Sequence, residues 1–175
     1  MSNHSLLTQI REAMSTMDKK LNMDIIQSFA GSAVATFEQM CSVAITPKKP
    51  YIKKPGSSIY GVSGVIGITG EVKGVVVLTL PEEVSLKAVG SFVGESYSQI
   101  DAAVVDGVKE LTNIIVGMAK AKLDERGYQF NFSLPKVVVG HNYISDAGEN
   151  VNSIVIPFDS PFEEFLLDIS VKRNA

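Results

Sequence analysis

The chain has 175 residues, of which 45% are hydrophobic and 20% are charged, so it is long enough to bury the core of one ordinary globular domain. A formal net charge of −3 provides no long-range field that would attract nucleic acid or an anionic membrane surface. Cys41 is the single cysteine and there are two histidines, so we expect neither an internal disulfide nor a zinc site, and a reducing cytoplasmic location fits.

Residues 1–21 carry the pattern of an amphipathic helix. Their apolar residues recur at spacings of three and four, which places one stripe on one face: Leu6, Leu7, Ile10, Met14, Met17 and Leu21. This face packs on its own domain or, alternatively, docks on another chain. We find neither a secretory signal nor 18 successive apolar residues that would span a membrane. The sequence therefore predicts a helical extension at 1–21 and one domain over 22–175.

A second helix is predicted over 24–41, and its apolar residues again share a face: Ile25, Ile26, Phe29, Ala33, Phe37 and Met40. Small residues at 30–33 allow a neighbouring element to approach closely. The next segment, 43–58, is interrupted by three prolines, which indicates a loop. It is also the most basic part of the chain, with Lys48, Lys49, Lys53 and Lys54. We interpret it as a solvated loop, with an acidic protein partner as the alternative.

Residues 58–80 predict two strands that are joined by a tight turn at Thr69-Gly70-Glu71. Five glycines lie between 61 and 74, but no GK[ST] follows them and no GxGxxG opens a helix, so a phosphate-binding loop is rejected. We expect these glycines to permit close approach to a sheet. Pro81, followed by two glutamates, begins a predicted helix over 81–95 that Gly94 ends.

The longest helix is predicted over 101–126, with Gly127 behind its end. Three extended stretches follow, near 128–140, 150–157 and 163–172, and the segment between the first two is predicted as a loop that leaves His141 on the surface. This order predicts an α/β fold of the α+β type, in which helices cover one mostly antiparallel sheet. Helix followed by strands occurs twice, at 24–80 and 101–172, which indicates a pseudo-repeat of two halves.

The long helix has two chemically different faces. One is apolar and is predicted to be core: Val104, Val108, Leu111, Ile115 and Met118, widened by Ile114 and Ala121. The other is predicted to face water: Asp106, Glu110, Asn113, Gly117 and Lys120. Because they are three residues apart, Glu110 and Asn113 stand together. The carboxylate can bind a lysine of a partner, and the carboxamide can hold a water at a chosen angle.

Gly117 leaves room for the backbone of a partner. The spacing ExxN alone is not specific, and a plain solvated helix face is the alternative interpretation.

Longer motifs around this pair resemble a known family. The segment 106–117, DGVKELTNIIVG, is similar to the D-x-x-x-E-L-x-N-x-x-x-G signature of the CheC/CheX phosphatases, which act on the chemotaxis response regulator CheY. The glycine-rich hairpin at 61–74, the segment FSLPKVVVG at 132–140 and the helix from 29 to 40 agree with the family. The resemblance covers about 22–172. It is closer to CheX than to CheC, because the first helix lacks an E-x-x-N motif, so we expect one site per chain.

The resemblance implies a mechanism and partners. Asn113 would orient the water that attacks the aspartyl phosphate of a receiver domain, and Glu110 would pair with the receiver lysine, with Asp106, Gly117 and Lys120 as further binding residues. Mg²⁺ would belong to the receiver, and this chain would hold no cofactor or metal of its own. A homodimer joined through the sheets is implied too. The alternatives are a flagellar-switch-like module that binds receivers without catalysis and a small-molecule enzyme, which no residue pattern favours.

Overall fold

The computed structural model describes residues 16–53, 57–140, 142–144 and 153–174. The helices in these ranges are α1 (Thr16–Cys41), α2 (Glu82–Val93) and α3 (Ala102–Glu125). The strands of the first half are β1 (Thr46–Pro47), β2 (Tyr51–Lys53), β3 (Ser57–Ile59), β4 (Val62–Gly70) and β5 (Val72–Leu80). Those of the second half are β6 (Phe130–Phe132), β7 (Lys136–Val139), β8 (Asn142–Ile144), β9 (Ser153–Asp159) and β10 (Phe165–Arg173).

The elements begin and end where local chemistry requires it. Gly70 has φ of 113° in the turn between β4 and β5, a conformation that glycine adopts without strain. Glu82 and Glu83 occupy the first turn of α2, where carboxylates favour the positive helix end. Gly94 ends that helix with φ of 77°, and its N–H donates to the carbonyl oxygen of Gly90 at 2.9 Å. The predicted hairpin and the predicted α2 are confirmed.

Eight of the ten described strands form one antiparallel sheet with a pseudo-twofold arrangement, and β3 and β8 form a separate two-stranded sheet. The order of the eight-stranded sheet is β1-β9-β10-β5-β4-β6, with β2 also on β9 and β7 also on β4. Exchanging the first half, β1 to β5, with the second half, β6 to β10, reproduces the same pairing. The hairpin β4–β5 then takes the place of β9–β10, and β1 and β2, which pair with β9, take the places of β6 and β7, which pair with β4. The central pair β5–β10 and the separate two-stranded sheet β3–β8 are each exchanged with themselves. The predicted fold class and its pseudo-repeat are therefore confirmed.

The helices cover one face of this sheet and enclose the core between them. The row Ile66, Val76 and Ile169 runs across three strands on the covered face, and each of these side chains is buried. Aromatic rings continue the core at the α1 side. Phe37 stacks on Phe165 at a centroid distance of 4.9 Å, and Phe165 stacks on Phe158 at 5.1 Å.

The first described helix is longer than the sequence pattern suggested. α1 begins at Thr16, whereas the second predicted helix began at residue 24, because no glycine or proline interrupts the chain between these positions. Leu21, from the predicted N-terminal stripe, is buried in the core. The earlier residues of the stripe, from Leu6 to Met14, and the side chain of Met17 lie outside what is described, so a distinct extension at 1–21 remains a prediction.

Two segments predicted as loops contain short strands. β1 and β2 lie within 43–58 and pair with β9. β8 lies within 141–153 and pairs with β3, which begins at the end of the first segment. These strands gain their hydrogen bonds from partners far along the chain, so the local prolines and lysines gave no sign of them. The stretch predicted at 128–140 is split into β6 and β7. Lys54 and His141 lie outside the described residues.

Candidate active site

α3 is fixed at both ends by its own sequence. A carboxylate oxygen of Asp101 accepts a hydrogen bond from the N–H of Val104 at 2.9 Å, which satisfies one of the unpaired donors of the first turn. After Arg126 the chain leaves the helix through Gly127, with φ of 90°, and the Gly127 N–H donates to the carbonyl oxygen of Asp124 at 3.0 Å. The helix predicted over 101–126 therefore runs from Ala102 to Glu125.

Two glycine contacts fix the rotation of α3. A Cβ added at Gly64 of β4 would lie 2.3 Å from the Thr112 hydroxyl, so the helix rests directly on the strand backbone there. A Cβ at Gly107 would lie 2.4 Å from a methyl group of Val89, which brings α2 equally close. The hydroxyl of Thr112 donates to the carbonyl oxygen of Val108 at 2.6 Å and so needs no other partner. The opposite side of α3 must therefore face outward.

The buried stripe of α3 differs in part from the prediction. Val104, Val108, Leu111 and Ile115 are buried as predicted, whereas Met118 and Ile114 are half-buried and Ala121 is exposed. The core instead includes Val116, Ala119 and Leu123. These residues continue the spacing of three and four toward β4, because the sheet, and not only the neighbouring helices, covers this side of α3.

Glu110 and Asn113 are both exposed and lie one turn apart on the outward side of α3. Residues at this spacing have Cβ atoms about 5–6 Å apart. Within the part of the chain that the structure describes, neither side chain has a hydrogen-bond or ion-pair partner. A carboxylate and a carboxamide are thus held side by side by a rigid helix and are available to another molecule. Sequence periodicity predicted this exposed face, and the family resemblance singled out the two residues on it.

The other three predicted site residues behave differently from one another. Asp106 is exposed one turn before Glu110. Gly117 is exposed one turn after Asn113, and a Cβ added there would meet no atom within 4 Å. Lys120 forms a salt bridge with Asp124 at 3.0 Å, so its ammonium group is already engaged. The structure therefore brings all five residues onto the outward side of α3, but it turns Lys120 toward Asp124.

An open cleft of about 610 Å³ continues this surface at the end of α3. Its lining joins Lys120 and Asp124 to the β4–β5 turn and to the start of β6: Gly70, Glu71, Gln129, Phe130 and Asn131. The sequence analysis missed Asp124 and the strand side of this cleft. The Lys-Asp spacing of four could have indicated the salt bridge, whereas nothing local to the sequence indicates that β6 returns beside the helix.

A partly exposed polar cluster ties the end of α3 to α1. The Arg126 guanidinium donates to one carboxylate oxygen of Asp24, and the Tyr128 hydroxyl donates to the other at 2.7 Å. The Tyr128 hydrogen bond, together with Arg126, lowers the pKa of Asp24. Burial, followed by the hydrogen bond to Asp24, raises the pKa of Tyr128 to about 12. The cluster holds the helix end that carries Lys120 and Asp124.

Two of the four basic-segment lysines are paired within the chain. Lys48 lies 2.7 Å from a carboxylate oxygen of Glu164, and Lys53 lies 2.5 Å from one of the largely buried Asp168. An acidic protein partner is therefore not needed to account for these two side chains. Among the described residues, no group of three His, Cys, Asp or Glu side chains is arranged to hold a metal. No described helix is both long and apolar enough to cross a membrane.

The fold that carries this site is that of the CheC-like proteins. A CheC-like superfamily protein from Shewanella sp. PV-4 superposes with a TM-score of 0.78 at 33% identity, over 85% of this chain and 97% of that one. The family model described as Chemotaxis phosphatase CheX matches residues 62–159, and the chain belongs to this family. The resemblance drawn from the motifs is thus confirmed, and so is the predicted enzyme class, a phosphatase.

Two further relatives are informative. The CheY-P phosphatase CheX of Thermotoga maritima is 28% identical in an alignment of 156 positions that covers 86% of this chain and 97% of the relative. The CheX of a CheX–CheY–BeF₃–Mg²⁺ complex from Borrelia burgdorferi superposes with a TM-score of 0.69 at 25% identity, over 85% of this chain and 97% of that one. The chain therefore spans nearly the full length of both relatives. The roles of Glu110 and Asn113 stay predictions.

Proposed function

We propose that this chain hydrolyses the aspartyl phosphate of a CheY-like receiver domain in chemotaxis or a related two-component pathway. The observation that carries the proposal is the exposed pair of Glu110 and Asn113, which has no partner among the described residues and stands on a helix whose rotation is fixed. Family membership and the CheX–CheY complex of the Borrelia relative support the same substrate class.

In the proposed reaction, the amide of Asn113 holds a water in line with the phosphoryl group. The water oxygen bonds to phosphorus while the bond from phosphorus to the aspartate oxygen breaks, which yields inorganic phosphate and a free carboxylate, and the water protons leave with phosphate or solvent. Positioning of the water is the main task that such phosphoryl transfer leaves to a protein. Asparagine suits this role because it offers both a donor and an acceptor but no charge.

Glu110 would dock the partner through a charge-assisted hydrogen bond to a lysine of the receiver. The open space at Gly117 and the carboxylate of Asp106 would complete the contact, with Lys120 at its margin. Mg²⁺ would be bound by the receiver and not by this chain. The cytoplasmic location indicated by the single Cys41 is in keeping with such a partner.

The test is the decay of phosphorylated receiver, measured for each receiver of the host, with no addition, with the parent chain and with Asn113→Ala. We expect the parent to accelerate decay and Asn113→Ala to lose about 100-fold of that acceleration, because a mispositioned nucleophile costs roughly this factor. Glu125→Ala, an exposed change in the last turn of α3, is the control. Equal rates for Asn113→Ala and parent would remove the assigned role. Binding without acceleration would favour the non-catalytic module.

We further propose a homodimer joined through the sheets, as the resemblance implies. On the sheet face away from the helices, half-buried apolar side chains include Val65, Val75 and Leu166. Their burial against a second copy would stabilise the dimer. Light scattering should give twice the chain mass of 18.8 kDa, and a mass of one chain at micromolar concentration would contradict this proposal.

A further inference from the structure

The edge of the sheet beside α3 contains a bulge. β6 and β7 follow β4 one after the other, with Ile68 opposite Phe132 and Val65 opposite Lys136. Between these pairs β4 has two residues, 66 and 67, whereas the edge has three, 133 to 135. One extra residue is therefore inserted into the edge strand, and such bulges redirect side chains and occur often next to functional sites.

The bulge exposes one side chain and buries the one after it. Pro135 is buried, whereas Leu134 is 79% exposed, more than any other large hydrophobic residue among those described. The residue before it is held in place by two hydrogen bonds, because the Ser133 N–H donates to the Gly67 carbonyl oxygen at 2.9 Å and the Ser133 hydroxyl accepts from the Gly67 N–H at 2.8 Å. Leu134 is thus presented to solvent from a fixed backbone.

The position of the bulge along α3 follows from two anchors. α3 rests on Gly64 at Thr112, and further along both elements Gly70 lines the cleft that contains Lys120 and Asp124. The two elements therefore run alongside each other, with Gly67 midway. Three residues of strand span about 10 Å, so the bulge lies level with the Gly117 region of the helix. Lys120 and the start of β6 line the same cleft, so the side of α3 that carries Lys120 faces the edge strand.

We propose that Leu134 is an apolar anchor of the same interface that receives the phosphorylated receiver domain. This inference rests on the proposed function. A standard interface buries about 800 Å² on each partner, a patch with a radius of roughly 16 Å, so a contact centred on Asn113 and Gly117 reaches the bulge. Because two hydrogen bonds already hold the backbone beside Leu134, burial of this leucine in an interface does not require the loop to become ordered, which favours binding.

The proposed occupant is the receiver and not a separate ligand, because the two anchors place the bulge level with Gly117 and so within the area that a contact centred on Asn113 and Gly117 covers. The ion pair of Lys120 and Asp124 borders the same surface, so the apolar anchor has a polar margin, as in ordinary protein interfaces. Leu134 therefore determines affinity for the receiver, while Asn113 determines the rate of the chemical step.

The experiment measures binding and turnover separately. The full chain is titrated by calorimetry with the receiver of the host, activated by beryllofluoride and Mg²⁺, and its rate of dephosphorylation is followed as a function of receiver concentration. We expect Leu134→Ala to weaken binding about tenfold and to raise KM by the same factor, with kcat unchanged. Val93→Ala, a 46%-exposed apolar residue at the end of α2, should change neither quantity.

The outcomes separate this inference from the proposed function. If the parent binds and hydrolyses while Leu134→Ala retains parental affinity, the anchor is wrong and the function stands. If the parent binds without hydrolysis, the catalytic proposal fails, and the affinity of Leu134→Ala still decides the anchor. If the parent neither binds nor hydrolyses any receiver of the host, both are overturned. Because Leu134 is exposed, circular dichroism should show that each variant is folded like the parent.

Discussion

α1 and α3 are the equivalent helices of the two halves, and they bury the same pattern of residues. Seven buried positions of α1 recur in α3 after a constant shift of 83 residues: 21, 25, 28, 29, 32, 33 and 36 match 104, 108, 111, 112, 115, 116 and 119. This agreement is expected if both helices pack on equivalent halves of the pseudo-twofold sheet. The inward faces of the two helices are thus duplicated.

The outward faces are not duplicated. The same shift places Gln27, Ala30 and Val34 of α1 where α3 has Glu110, Asn113 and Gly117. The Gln27 amide oxygen accepts from Arg126 at 3.4 Å, and Ala30 and Val34 pack against the core. The α1 positions therefore have contacts within the chain, whereas the α3 positions are open. Packing accounts for the inward residues, whereas the open ones form the surface to which we propose that the receiver binds.

The largest expected effect comes from truncating equivalent residues in the two helices. Glu110→Ala should weaken binding of the activated receiver by about 10- to 100-fold, because it leaves a lysine of the receiver without its carboxylate. Gln27→Ala, the matched change in α1, should leave binding unchanged. Calorimetric titration of the two variants and the parent measures both effects.

Stability serves as the control for this pair. Both residues are exposed, so each change should alter the free energy of unfolding by less than about 0.5 kcal/mol in urea titrations. Comparable loss of receiver binding in Gln27→Ala would show that α1 carries a second docking face, and the contrast between the halves would no longer hold.

Features that depend on local periodicity and turn chemistry could be predicted from the sequence. The spacing of apolar residues predicted α3 and put Glu110 and Asn113 on its outward face, and turn chemistry predicted the β4–β5 hairpin and the end of α2 at Gly94. Each of these features is determined by residues within a few positions of one another.

Features that join distant segments could not be predicted in this way. The Leu134 bulge exists only relative to the register of β4, some 66 residues away at Gly67. The bond between Tyr128 and Asp24 spans 104 residues. Likewise, the short strands β1 and β2 are stabilised by pairing with β9 rather than by their own strand propensity. Ala121 was predicted to be core but is exposed, because the way α3 rests on the sheet determines which of its residues are covered.

Two glycines of α3 offer a smaller and more exacting test. Gly107 faces inward against Val89, so Gly107→Ala should destabilise the fold by about 1 kcal/mol, since overpacking outweighs the better helix propensity of alanine. Gly117 faces open space, so Gly117→Ala should instead stabilise the fold by up to about 1 kcal/mol. Urea denaturation of both variants measures the opposite signs.

Receiver binding separates the two glycines further. If the partner approaches the helix at Gly117, Gly117→Ala should bind the receiver several-fold more weakly although it is more stable, while folded Gly107→Ala should bind normally. A Gly117→Ala variant that is stabilised and binds like the parent would mean that no partner backbone lies close to this turn. The proposed docking surface would then be centred on Glu110 and would not include Gly117.

The smallest expected effect concerns the cluster that joins the two halves at Asp24. The pKa of Asp24 is lowered, which means that the folded state favours its carboxylate form. The contribution of this carboxylate to the free energy of unfolding is therefore fully present above the ordinary pKa of 3.8 and is lost as the pH falls through the lower pKa of the folded state. Asp24→Asn should therefore destabilise the fold by only about 0.5 kcal/mol at neutral pH, because the exposed Arg126 is screened by solvent. As the pH falls below the folded-state pKa of Asp24, the urea midpoints of parent and variant should converge.

A difference between the two urea midpoints that does not change with pH would assign the lost stability to the shape of the hydrogen-bonded cluster and not to its charge. Receiver affinity should change little in either case, because Glu110 and Asn113 lie more than three helical turns before Arg126, to which Asp24 binds.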